Sequence, residues 1–281
     1  MNISVVIPCF RAESTLREAV LPACAAHEVI VVDDASPGGC RDLVASWGLS
    51  NVRVVAHESN LGLGAARNTG IQAATGDWVA FLDADDAFEP QWHERLQSFL
   101  AQQPDVDWAY HPVREWTGSR LGAVRYGDHP QRVEDWVIRR PAIAPSACIL
   151  RRAVALEHPF DTSRVLQGTE DLELWVRLWT RGFRPVRWTD EAFTWYRIGR
   201  GMSAELDAHT TKIRMRWAQF VERGWIPPDV LQQAERELQR QKARSYHKAG
   251  AFRKAQRAYL AAGPSAKNML LAAAAALHFK I

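Results

Sequence analysis

The stretch LGAARNTGIQAATGDWVAFLDADD, Leu63 to Asp86, reads as a helix, a buried strand and an acidic turn in direct succession. Leu63 to Gly76 has helical spacing and stops at a glycine, and DWVAFLD follows as a short apolar strand. Working outward, the same alternation recurs. ISVVIP is a β-branched strand ending at Pro8, and STLREAVLPACAAH is a helix with Ser14 as its expected cap. EVIVVDD and NVRVVAH are further strands, and PQWHERLQSFLAQQ is a helix opened by Pro90. Four β-α units in a row predict an α/β fold with a mostly parallel central sheet, flanked by helices and joined by right-handed crossovers. In such sheets ligands bind beyond the carboxyl ends of the strands. The polar clusters Cys9 to Glu13, Asp33 to Gly39 and Asp83 to Asp86 fall there.

The 281 residues suit one α/β domain plus a smaller appendage, and 47% hydrophobic with 24% charged residues is the composition of a soluble globular chain. MNISVVIPCF lacks the basic, apolar and small-residue regions of a signal peptide. The longest apolar run, Met269 to Leu277, falls far short of the roughly 20 residues that span a bilayer. Cys9, Cys24, Cys40 and Cys148 show neither zinc-site nor disulfide-framework spacing, so a cytoplasmic setting is expected. The net charge of +3 conceals a division: residues 206–281 hold 14 Lys+Arg against 5 Asp+Glu, and every lysine lies at Lys212 or later. A basic tail of that kind is expected to meet an anionic surface or partner, or simply to be a solvated helical face. Nothing in the pattern points to nucleic acid.

The expected organisation is a catalytic domain over residues 1–205, with nucleotide binding in 1–106 and acceptor recognition in 107–205. A helical extension over 206–281 would hold one tetratricopeptide-like helix pair and a terminal helix. The segment 107–161 is irregular and rich in Trp, Pro and Arg, whereas TEDLELWVRLWTRGF returns to helix and ends at Gly182.

Side chains at i and i+2 of an extended segment share a side, so Asp83 and Asp85 converge while Asp86 projects elsewhere. Two carboxylates suit a hard divalent cation that also takes diphosphate oxygens. Asp33 and Asp34 follow a strand, where a carboxylate either caps a turn or accepts hydrogen bonds from a base or ribose. Gly62 and Gly64 suggest a dinucleotide fingerprint, but G-x-G-x-x-G needs glycine where Arg67 stands. Arg67 is expected to reach a phosphate or base, or to lie on the helix surface. Glu170 and Asp171 open a helix, where acids are favoured by the dipole and where a general base can be held firmly. Trp116 and Trp136, in the irregular segment, are candidates to stack on an acceptor sugar.

Taken in order, SVVIPCFRAESTL, EVIVVDDASPGG, NLGLGAARNTGIQAATGDWVAFLDADD, HPFDTSRVLQGTEDLELWVRLWTRGF and WYRIG resemble an inverting family 2 glycosyltransferase of the GT-A fold. The resemblance implies a nucleotide-sugar donor, most often a UDP-sugar, and a glycan or lipid-linked acceptor at the inner membrane face. Carried over residue by residue, Pro8 and Phe10 flank the base, Asp34 contacts it, and Arg67, Asp83 and Ala84 belong to the donor site. Asp85 and Asp86 hold Mn²⁺ or Mg²⁺, and Asp171 is the general base. Glu170 and Arg200 are expected near the diphosphate or acceptor, with Arg200 replacing a histidine that many relatives carry after the Tyr-Arg pair. The rival readings are a metal-dependent nucleotidyltransferase and a catalytically silent nucleotide-binding module.

Overall fold

The structure, a computed structural model, describes residues 1–127, 129–139, 143–198 and 206–279. They fall into two compact units, the first comprising the described residues of 1–129 and 142–204, the second those of 130–141 and 205–281. The sequence reading placed 130–139 with the acceptor half; the structure groups this segment with the helices instead.

The first unit is built on β1 (Ile3–Cys9), β2 (Glu28–Asp33), β3 (Val52–Ala56) and β4 (Trp78–Phe81), all mutually parallel in the order β4-β1-β2-β3. Every residue of β1 is buried, as expected of a parallel strand covered on both faces. Beyond β4 the sheet continues through β9 (Cys148–Arg151), antiparallel to both neighbours, then β6 (Trp108–Tyr110) and β10 (Val186–Arg187). A second sheet of four strands pairs β5 (Ala87–Phe88), β11 (Thr194–Arg197), β7 (Val113–Trp116) and β8 (Leu121–Arg125) in that order. Because β5 begins one residue after Asp86 and pairs with β11, this second sheet fixes the far end of the acidic turn.

The crossovers are α1 (Glu13–Ala23), the short α2 (Arg41–Ala45) and α3 (Leu63–Ala73). Leu16, Ala19 and Val20 of α1 bury against Ile3, Val5, Val29 and Val31, each such aliphatic side chain contributing roughly 1.5–3 kcal/mol. The expected Ser14 cap is not formed: α1 starts at Glu13, Ala12 holds the cap position two residues before Ser14 with no side-chain cap, and Thr15 Oγ1 donates to the Ala12 carbonyl. Gly70 of α3 lies so close to Val6 of β1 that a Cβ would collide with its side chain, so the glycine sets how near α3 packs. The remaining helices of this unit are α4 (Trp92–Gln102), α6 (Arg152–Glu157) and α7 (Glu170–Thr180). Gly182 ends α7 at φ +96°, with the Phe183 amide donating back to the Leu178 carbonyl.

In the second unit α5 (Asp135–Ile138) packs on α9 (Val230–Lys248), while α9 forms a hairpin with α10 (Phe252–Ala261), which in turn packs on α11 (Ala266–Ala276). α9, α10 and α11 enclose a small alanine-rich core around Ala243, Ala255, Tyr259, Ala272 and Ala275, and α8 (Leu206–Glu222) packs on α9. Among the described residues no helix is long and apolar enough to cross a membrane, and all four cysteines are free thiols.

Candidate active site

The carboxyl ends of β1, β2 and β4 put three loops side by side. After β1, Phe10 is exposed with the Arg11 guanidinium 5.1 Å from its ring centre, whereas Pro8 is buried within the strand opposite Val32. Arg11 at φ +54° and Ala35 at φ +60° occupy the left-handed region although neither is glycine, so both loops carry backbone strain at this edge.

The two aspartates after β2 hold the loops. Asp33 accepts from the amides of Ser36 and Cys40, at 2.9 and 2.8 Å, and so folds the 34–40 turn. Asp34 is 3% exposed and accepts three hydrogen bonds, from His57 Nδ1 and from the amides of Leu61 and Gly62, each at 2.8 Å. Gly62 stands at φ +96°, a conformation open to glycine that turns its amide onto Asp34. Gly62 therefore serves a carboxylate of the chain itself, and Gly64 lies against the Asp161 carbonyl where a Cβ would collide, so both glycines answer to contacts within the chain.

The acidic turn after β4 is pinned from several sides. The Asp83 amide donates to Ser146 Oγ at 3.0 Å, and Thr15 Oγ1 donates to the Ala84 carbonyl at 2.8 Å. Arg197 of β11 donates its amide to Asp86 Oδ1 and its Nε to the Asp85 carbonyl, both at 2.7 Å, and pairs with Glu18. Asp83 and Asp85 are half-buried, whereas Asp86 is 1% exposed. Burial, with Asp83 nearby, pushes the Asp86 carboxyl well above the usual carboxylate range, against the Ser146 hydroxyl and the Arg197 amide that pull it down. The expectation that Asp86 ligates a metal is corrected: it faces into protein and braces the turn. Ala84 is likewise buried, and it enters the site through its carbonyl.

Arg67 ties this turn to α7. Its guanidinium is 1% exposed, donates Nη2 to Asp83 at 2.7 Å and Nη1 to Glu170 at 2.9 Å, and lies 5.2 Å from the Phe160 ring centre. So placed it meets two carboxylates rather than a phosphate or base; desolvation opposes its charge most strongly, but the Asp83 and Glu170 carboxylates outweigh it and raise its pKa. Glu170 is spent as well, its other oxygen accepting the Gly168 amide, so its expected diphosphate or acceptor contact is not open to it. The next residue, Asp171, is only partly buried. Desolvation first, then the Glu170 charge, push its carboxyl up to about 6, with Arg67 and the Leu172 amide working the other way.

Asp83 and Asp85 supply hard oxygen donors at one half-exposed edge, and among the described residues no three His, Cys, Asp or Glu side chains form a closed metal cage. That donor set fits a Mg²⁺- or Mn²⁺-like ion that shares its shell with substrate phosphate.

A sequence profile of the family described as Glycosyl transferase family 2 matches residues 4–156, just over half of the chain. The chain belongs to glycosyl transferase family 2. An uncharacterized glycosyltransferase of Haemophilus influenzae is 32% identical over 116 residues, which cover 40% of this chain and 39% of that relative; the chain thus spans about two fifths of its length. TarS of S. aureus in complex with UDP-GlcNAc superposes with a TM-score of 0.66 at 16% identity, covering 99% of this chain and 88% of that one. The mannosyltransferase PcManGT of Pyrobaculum calidifontis, in complex with GDP-Man and Mn²⁺, gives 0.61 at 20% identity over 98% and 80%. At these identities the likeness concerns the fold, which is the GT-A arrangement.

The candidate site includes side chains to which the sequence assigns no role. Tyr196 sits within the fields of Asp86, Asp83 and Asp171, and burial together with those charges raises its phenol. Arg197 is the clamp on the acidic turn, and Ser146 and Thr15 anchor its backbone. The only signal for Tyr196 and Arg197 was their place in WYRIG; Ser146 and Thr15 carried none. Two tryptophans behave differently from expectation. Trp136 belongs to the helical unit and is 0% exposed, so it has no face to offer a sugar. Trp116 is 8% exposed, with the Arg197 guanidinium 4.1 Å from its ring centre, so its face is already covered by a cation. Arg200 lies outside the described residues.

Proposed function

We propose that the chain is an inverting glycosyltransferase that moves a hexose from a nucleotide-sugar donor, of the UDP class, to a hydroxyl of a glycan or lipid-linked acceptor. The observation that carries this reading is the Asp83–Arg67–Glu170 bridge, which locks the donor-side turn to the helix that presents Asp171. A carboxyl raised to about 6 is deprotonated at neutral pH yet a stronger base than an ordinary aspartate near 4.

In the proposed reaction an acceptor oxygen attacks the anomeric carbon from the face opposite the nucleotide. Its proton passes to a carboxylate oxygen of Asp171, and the bond from the anomeric carbon to the diphosphate oxygen breaks with its electron pair leaving on the diphosphate. Because the hydroxyl is a weak acid, proton transfer and bond formation are concerted, and the chain's work is to position the base. Asp85, with Asp83, would hold a Mn²⁺ or Mg²⁺ ion, which when bound supplies Lewis-acid compensation for the charge of the departing diphosphate. Phe10, an exposed aromatic at the end of β1, would flank the nucleobase.

The fold's likeness to complexes holding UDP-GlcNAc and GDP-Man with Mn²⁺ supports a nucleotide-sugar donor. Thermal unfolding across UDP- and GDP-sugars, with and without Mn²⁺, tests it: a metal-dependent rise for a UDP-sugar is expected, lost in Asp85→Ala. A rise for no UDP-sugar would reject the UDP assignment, and full turnover by Asp171→Asn would favour the nucleotidyltransferase reading.

A further inference from the structure

The helical unit contains a cavity of about 450 Å³ between α9, α10 and the start of α11, a size suited to a small ligand. One wall is the stripe Glu237, Arg240, Arg244 and Lys248 along α9, and Lys267 stands opposite on α11. Glu237 pairs with both arginines, at 3.0 and 2.9 Å, so one carboxylate is shared by two guanidinium groups. Lys248 and Lys267 are exposed and make no ion pair among the described residues, leaving the cavity with an excess of positive charge.

The start of α11 also favours an anion. The first turn of α11 lines the cavity; Ser265 caps the Asn268 amide, while the amides of Ala266 and Lys267 have no intrahelical acceptor and carry the positive end of the helix dipole. His247 also lines the cavity and is held there by donating Nε2 to the Phe279 carbonyl. Free cations beside a helix start, in a cavity of this size, describe a site made to receive anionic oxygen.

The floor and the neighbouring surface are apolar. Tyr259 and Leu271 line the cavity, and on α11 Leu270 follows Lys267 by three positions and Leu277 follows Leu270 by seven, so they share a helix face. Leu270 and Leu277 are 71% and 70% exposed, and Met269 and Phe279 are exposed beside them. An apolar stripe of this size next to a phosphate-sized cationic cavity matches an amphiphile with an anionic head.

We infer that this cavity binds the phosphate headgroup of a membrane phospholipid, with the exposed face of α11 lying among the acyl chains. The site is independent of the transfer reaction proposed above. It gives the basic tail a defined headgroup pocket in place of a diffuse attraction to negative charge.

The test is co-sedimentation of the full chain with vesicles of phosphatidylcholine alone and with added phosphatidic acid. Binding is expected only with phosphatidic acid. The double variant Lys248→Ala/Lys267→Ala, both positions being exposed, is expected to weaken it roughly 30-fold, about fivefold per lysine. Arg253→Ala/Arg257→Ala, on exposed positions that do not line the cavity, is expected to change it by no more than about threefold. Leu270→Ser/Leu277→Ser should weaken vesicle binding but leave any binding of glycerol 3-phosphate unaltered. Equal loss from the two charge doubles would replace the pocket with diffuse attraction. Tight binding of glycerol 3-phosphate, with no effect of the two serines on vesicles, would overturn the lipid in favour of a soluble phosphate ester. No dependence on phosphatidic acid would remove the site altogether.

Discussion

Two aspartate pairs occupy the same edge of one sheet, and they have been put to different uses. Asp33 and Asp34 after β2 are both buried and accept five hydrogen bonds between them, four from backbone amides and one from His57. Asp83 and Asp85 after β4 remain half-buried, and the turn that carries them is held through its amides and carbonyls by Ser146, Thr15 and Arg197. Where the carboxylates do the fastening they build loops. Where other groups fasten the backbone, the carboxylates stay at the ligand edge, Asp83 with one oxygen given to Arg67 and Asp85 half-buried. Glu170 and Asp171 repeat the division at the start of α7, one buried against Arg67 and the other left at partial exposure with a raised pKa.

The comparison is broken hardest at Asp171. Asp171→Asn removes the base while keeping shape, and transfer should fall by about 10²- to 10⁴-fold in kcat with donor affinity preserved. Its stability moves the other way. A carboxyl at about 6 in the folded chain and near 4 when unfolded contributes stability that is full below about 4 and is lost as pH rises through about 6. At pH 8 the asparagine variant should therefore unfold at a temperature no lower than the parent.

Arg67→Met comes next, because it leaves Glu170 buried without its cation; a loss of about 3–5 kcal/mol in urea unfolding is expected. Arg67 also holds the Asp171 pKa down, so where the variant folds, the acid limb of its pH–rate profile should move upward. An unchanged stability would show that the bridge is not formed in solution.

Asp34→Ala strands the donors of the 57–62 loop and should cost about 1–3 kcal/mol. Loss of donor binding with no change in unfolding would instead make Asp34 a ligand residue alone. The smallest effect belongs to Asp86→Asn. Burial disfavours the charged form of Asp86, so its isosteric neutral replacement should change stability at pH 7 by less than about 1 kcal/mol, in contrast to the same exchange at Asp171 in activity.

Much of this was legible in sequence, because buried parallel strands are continuous apolar runs and their ligand edge is where polar residues gather. β1 to β4 and α7 follow directly from that pattern, as does the separation of Asp83 and Asp85 from Asp86 by strand alternation. What escaped was long-range. Arg67 finds Asp83 16 positions away and Glu170 103 positions away, and no local pattern distinguishes a buried bridging arginine from a phosphate ligand. The pairing of β5 with β11 and the joining of Trp136 to the helical unit depend likewise on tertiary contacts. At the α1 start the local rule named Ser14, but the chain enters the helix two residues after the strained Arg11, so Ala12 takes the cap.

The central claim is that Asp171 works as a base from a carboxyl raised by its burial beside Glu170. The most direct test is kcat/KM for nucleoside diphosphate release from the donor, in the presence of acceptor, as a function of pH. A plateau above about 6 and a tenfold fall per pH unit below it are expected. A profile flat down to pH 4.5, with the parent chain still folded, would contradict it.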